Sequence, residues 1–238
     1  MTRTVEICLT DLASAAAAAE GGADRIELCA DLASGGVTPS LGLVRSACRG
    51  VVPVHVLIRP RAGDFAYSEA ELDAMALDVG HAREAGASGV VLGVLRDDAT
   101  VDLRAVARLV AEARPMAVTF HRAIDLTPDP PGSLDALVAL GVDRVLTAGG
   151  RGPARRGVGA IRDLVGRAAG RVEIMAGGGI AEADLPGLLD ATGASAVHLG
   201  SGVTRPAPAA GPFGARPAAV DAERVRRIVR LVRRGRTP

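Results

Sequence analysis

The sequence predicts an α/β fold, a single-domain (β/α)8 TIM barrel spanning residues 1–238. Two observations carry the prediction. Short apolar runs rich in β-branched residues alternate with longer amphipathic stretches along the whole chain. The lead-in to every second run is also repeated: Gly22-Ala23-Asp24-Arg25-Ile26, Gly86-Ala87-Ser88-Gly89-Val90, Gly141-Val142-Asp143-Arg144-Val145 and Gly193-Ala194-Ser195-Ala196-Val197. Four quarter-units of two strands each suit a closed barrel. An open doubly wound sheet is the competing reading, but no GxGxxG follows the first run and no shift in composition marks a second domain.

The strands are expected at residues 5–9, 25–30, 53–59, 90–95, 117–121, 144–148, 172–177 and 196–200. Helices are expected at 69–85, 103–113, 134–140 and 183–189, with Gly21, Gly86, Gly141 and Gly193 where helices should end. Cys48 reads as a structural residue within a helix. Residues 205–217, rich in Pro, Gly and Ala, read as a loop before a last helix at 221–235. That helix puts Val225, Ile228, Val229 and Val232 on one face and arginines on the other, the pattern of a solvated outer helix.

Composition narrows the chemistry. All 28 positive side chains are arginine. Without lysine, Schiff-base chemistry of the aldolase or pyridoxal-phosphate kind is excluded, because it needs an amine that can lose its proton. A net charge of +1 argues against a general nucleic-acid binder, so no nucleic-acid partner is expected. Cys8, Cys29 and Cys48 form no CxxC pair, and no secretory leader or membrane-length apolar stretch is apparent. A reduced, cytoplasmic protein with no membrane partner is therefore expected.

In a barrel, alternate strand residues face the helix layer or the interior, and the helix-facing set should be branched and apolar. Val5, Ile7 and Leu9 then face out and Glu6 and Cys8 face in. Ile26 and Leu28 face out, leaving Arg25, Glu27 and Cys29 inside. The third strand turns His55, Leu57 and Arg59 inward, the fifth Ala117, Thr119 and His121, the seventh Glu173, Met175 and Gly177, and the eighth His198 and Gly200. Barrel interiors are usually filled with Val, Ile and Leu, so this concentration of ionisable side chains must pair internally or line a wet pocket.

Two chemistries fit. Cys8 and Cys29, near the ends of adjacent strands and with Met175 nearby, offer soft donors for Cu(I); taken singly, each reads as a small buried hydrophobe. His55, His121 and His198 are ligand or proton-transfer candidates, or hydrogen-bonded packing. The second chemistry is capture of a small anionic, perhaps phosphorylated, metabolite at the barrel mouth. Gly177, Gly178, Gly179 and Ser201 would present backbone N–H groups, and Arg59, Arg61 and Arg122 planar donors. Asp64 lies at the same strand ends, and Glu6 or Glu27 would act as base with His121 as proton partner.

The same strings resemble the CutC family of copper homeostasis proteins. The matching segments are Val5-Glu6-Ile7-Cys8, Gly21 through Cys29, Gly35-Gly36-Val37-Thr38-Pro39-Ser40, Ile58 through Phe65 with Tyr67-Ser68, Val118 through Ala123 with Asp125, Arg144-Val145-Leu146-Thr147, and Met175 through Ile180. The resemblance implies a cytoplasmic TIM barrel that self-associates as a dimer or tetramer. It also implies a role in copper handling, with Cu(I) held at the positions of Cys8 and Cys29; no catalytic mechanism comes with it. The chain departs from the family's pattern after His198, where Leu199-Gly200-Ser201-Gly202 follows, in the proline-rich loop 205–217, and at Ala62, where glycine is usual.

Overall fold

The computed structural model describes residues 3–205 and 218–234. Its strands are β1 (Thr4–Leu9), β2 (Arg25–Leu28), β3 (Val54–Leu57), β4 (Gly89–Leu92), β5 (Ala117–Phe120), β6 (Arg144–Thr147), β7 (Glu173–Gly177) and β8 (Ala196–Leu199). They pair in parallel in chain order, and β8 closes on β1 through Glu6 opposite His198. Around them lie α1 (Leu12–Gly21), α2 (Leu41–Ala47), α3 (Glu69–Glu84), α4 (Leu103–Ala113), α5 (Pro130–Ala139), α6 (Val158–Ala168), α7 (Leu185–Thr192) and α8 (Ala222–Arg234).

The expected second, third and fourth strands run too far, for one physical reason. Beyond Cys29, whose N–H still donates to the Leu9 carbonyl of β1, the chain bonds elsewhere, with the Ala30 and Val37 backbones pairing with each other. Arg59 N–H donates to Thr38 Oγ1, and Leu95 N–H to the Phe65 carbonyl. Those loops cover the mouth. Helix α5 starts earlier than expected because Asp129 caps it and Pro130 occupies its first turn. A 3-10 turn over Glu182–Asp184 pushes α7 later, and Cys48 caps α2 from just outside the helix. Residues 206–217 of the expected loop and residue 235 of the expected last helix lie outside the described residues.

Parity holds. The outward set, including Val5, Ile7, Ile26, Leu28, Val54, Val56 and Ile58, joins the helices' apolar faces in one continuous core. Two smaller apolar clusters lie apart from it: Cys8, Cys29, Leu57 and Val91, and Leu146, Met175 and Ala196. The first and last helices pack unusually closely. A Cβ on Gly21 would sit 2.4 Å from Val225 Cβ, so the last turn of α1 needs a residue without one, and the neighbouring Gly22 takes the left-handed cap (φ 85°).

Candidate functional site

A cavity of about 310 Å³ opens at the C-terminal ends of the strands. Cys8, Glu27 and His198 line it from β1, β2 and β8, and Leu57 and Leu146 from β3 and β6. Arg59, His121 and Arg122 come from just beyond β3 and β5, while Ser34, Gly35 and Phe65 come from the covering loops. Larger grooves between α1 and α2 and between α3 and α4 lie away from the strand ends.

Beneath the cavity a chain of charges runs through the barrel. Arg144 Nε donates to Glu173 Oε2, which also accepts from Arg25 Nη2 at 3.1 Å. Arg25 Nε donates to Glu6 Oε2 at 2.6 Å, and Glu6 Oε1 meets His198 Nδ1 at 2.7 Å. Glu27 Oε2 stands 3.4 Å from the same nitrogen. Burial pushes Glu6 up, but the His198 hydrogen bond and the charges of His198 and Arg25 outweigh it and hold the carboxyl well below its usual range. Glu27 lacks such partners, and burial, helped by the negative Glu6, lifts it to about 7 against the pull of His198. Burial lowers His198, yet the Glu6 hydrogen bond and the charges of Glu27 and Glu6 raise it overall. Two carboxyls one strand apart are thus shifted in opposite directions by environment alone.

At the other end of this chain, Cys8 Sγ lies 3.7 Å from Cys29 Sγ. The contact with Cys29, then burial, then the charge of Glu27 push the Cys8 thiol well up. One ligand atom each from Cys8, Glu27 and His198 lie within 4.8 Å of one another. Paired thiols next to an imidazole form a soft donor set and fit Cu(I) better than a hard cation. Met175 stands apart, with its sulfur accepting from Arg25 Nη2 at 3.1 Å.

Arg59 is 5% exposed. Its Nη1 donates to the carbonyls of Ser34 and Gly36 and its Nη2 to that of Gly63, with Phe65 stacked 5.0 Å from the guanidinium carbon. His121 Nδ1 accepts the Ala123 N–H, which puts any proton of the neutral ring on Nε2. Burial and the nearby Arg59 charge press His121 down to about 3. Arg122 Nε is tied to Asp125 Oδ2 at 2.9 Å, and buried Asp125 also collects Thr147 Oγ1 and the N–H groups of Ala148 and Gly150. One carboxylate thereby fixes both the loop after β6 and the arginine beside the cavity.

The remaining sequence candidates fall outside the cavity. Arg61 is half-exposed and bound to Glu71, Asp64 and the Ala66 carbonyl, and Asp64 is exposed. Loop residues past a strand end have no parity to aim them. Gly178 backs onto Arg122, where a Cβ would meet the guanidinium at 3.0 Å, and its carbonyl accepts from Ala154 N–H. Gly177 packs against Leu146 and His198, Gly179 neighbours Pro153, and Ser201 opens a 3-10 turn. Gly89 and Gly93 escaped the sequence reading. A Cβ at Gly89 would lie 2.8 Å from the His55 ring, and one at Gly93 2.3 Å from the His121 ring, so glycine at inward positions was the available signal for these histidines.

Comparison with known proteins agrees with these features. The CutC family profile matches residues 3–203. The copper homeostasis protein cutC homolog of Homo sapiens is 43% identical over 202 residues, covering 84% of this chain and 74% of that protein. A CutC family protein of Xylella fastidiosa is 42% identical over 241 residues, covering 97% and 89%. Among solved structures, a CutC protein of Streptococcus agalactiae superposes with a TM-score of 0.80 at 34% identity, covering 84% of this chain and 99% of that one. On the strength of the barrel, the strand-end cysteine pair and this extent of similarity, the chain belongs to the CutC family.

Proposed function

We propose that the protein acts in copper homeostasis by taking up Cu(I) at the Cys8 and Cys29 thiols. The observation that carries this reading is the 3.7 Å separation of the two sulfurs, one lining the cavity and the other fully buried beside it. Two thiolates can share one soft ion there, and His198 or Glu27 stands close enough to Cys8 to complete its coordination. The names of the human and mouse relatives, copper homeostasis protein cutC homolog, support the same cargo. The reading extends to the reducing cytoplasm, where both thiols stay free, and to a self-associated protein, a state that sedimentation measures directly. Anaerobic Cu(I) titration against a chromophoric chelator should give stoichiometric binding that disappears in the Cys8→Ser/Cys29→Ser double variant. Equal binding by a folded double variant overturns the reading.

A further inference from the structure

We propose that the barrel-mouth cavity is also a receptor for a small oxyanion, a carboxylate or a phosphate, held between Arg59 and Arg122. Arg59 lacks a counter-charge among the described residues. Arg59 is almost wholly buried, yet the hydrogen bonds of its guanidinium go to uncharged groups, chiefly the carbonyl oxygens of Ser34, Gly36 and Gly63. Carbonyls solvate a cation without neutralising it, and an unneutralised buried charge is among the more costly features a fold can carry.

No described carboxylate forms an ion pair with Arg59, and the residues outside the description, 1–2, 206–217 and 235–238, contain no Asp or Glu. Its Nε is sealed from solvent with no described acceptor. The Tyr67 hydroxyl interacts with the Arg59 guanidinium, but burial keeps that hydroxyl neutral, so it supplies no counter-charge. By contrast Arg25, equally buried, has both Glu6 and Glu173. The interior therefore neutralises its cations wherever it is closed, and leaves one unneutralised where it opens.

The carboxyl that lines the same cavity, Glu27, stands against His198 and forms no ion pair with Arg59. His121 is neutral, and its Nε2, like the Arg59 Nε, lacks a described acceptor. Arg122 lines the same cavity and commits its Nε to Asp125 and its Nη2 to the carbonyls of Gly150 and Gly152, leaving Nη1 without a described partner. Leu32, Leu57 and Leu146 add apolar wall, so the site suits an anion with a short hydrocarbon body. The inference stands apart from the copper reading, because neither arginine makes a hydrogen bond to a thiol among the described residues.

The test is thermal unfolding of the full chain titrated with inorganic phosphate and, separately, malonate, at ionic strength held constant with chloride. A saturable rise in Tm with one of them is expected, and the anion that saturates identifies the source. Apparent affinity should fall at least tenfold in a folded Arg122→Gln variant, at a side chain 39% exposed, and in Arg59→Gln if that variant folds. The Cys8→Ser/Cys29→Ser variant should respond as the parent does, which separates this inference from the copper reading. Absence of a saturable response to both anions, or an unchanged response in Arg122→Gln, overturns it.

Discussion

His55 and His121 are neutral imidazoles held inside a protein, and each owes its space to a glycine on β4 or just beyond it. Burial, only partly offset by the negative Glu6, brings His55 down to about 4. Between pH 4 and the ordinary histidine value of about 6.5, the unfolded chain therefore binds the proton that the folded chain refuses. The contribution of His55 to stability must rise with pH across that window and fall on acidification. For His55 alone the change from pH 6.5 to 4.5 is of order 2 kcal/mol by linkage. Glu27 works the other way, keeping a proton in the fold up to about 7 that the unfolded chain releases near 4.5. The wild-type slope is thus a difference of opposing contributions, and His55→Gln isolates one of them. Urea unfolding at the two pH values should show a stability difference smaller by about that amount in His55→Gln; an unchanged pH dependence would mean that His55 is not the neutral buried group described here.

At the scale of elements, the barrel was legible because the strands announce themselves through branched outward residues, and every second one also through its repeated lead-in. Helix α1 was harder to delimit because its alanine run has little contrast between faces, and α6 because three glycines punctuate its neighbourhood. The site was legible only as far as parity reached. Glu6, Glu27, Cys8, Cys29 and His198 were placed inside by alternation, whereas Arg61 and Asp64 sit in a loop whose course depends on contacts distant in sequence. That loop is anchored at the start of α3. Ser68 caps the helix by accepting the Glu71 N–H, Glu71 answers by accepting the Ser68 N–H, and the same Glu71 carboxylate holds Arg61. Ser68→Ala should therefore cost about 1 kcal/mol in denaturant unfolding, and it should loosen the residue 61–67 loop in hydrogen exchange while sparing the strands. Uniform loss of protection across the barrel would assign the capping box a role in global stability instead.

For the molecule as a whole, the decisive feature is that its inner charges are graded along the barrel axis. At the strand starts, Arg144 and Glu173 are partly wet; in the middle, Arg25 and Glu6 are dry and mutually satisfied; at the cavity, burial lifts Glu27 to about 7 and Arg59 is left unneutralised. A buried pair contributes little net stability when intact, but removing one member leaves the other charged and dry, at about 3–5 kcal/mol. The gradient therefore predicts unequal costs for the same chemical change. Glu6→Gln, at a side chain with no solvent exposure, strips the carboxylate from both Arg25 and His198 and should lose about 3 kcal/mol. Glu173→Gln, at a side chain 24% exposed, leaves Arg25 its Glu6 partner and lets water reach Arg144, so its loss should stay nearer 1 kcal/mol. Guanidinium chloride unfolding of the two variants side by side measures the difference, and the Glu6→Gln loss should grow on acidification as His198 and Glu27 take up protons, because Glu6 favours the protonated form of both. Equal losses in the two variants would show that the charge chain is uniformly solvated, and would remove the dry middle on which the separation of a structural floor from a functional mouth depends.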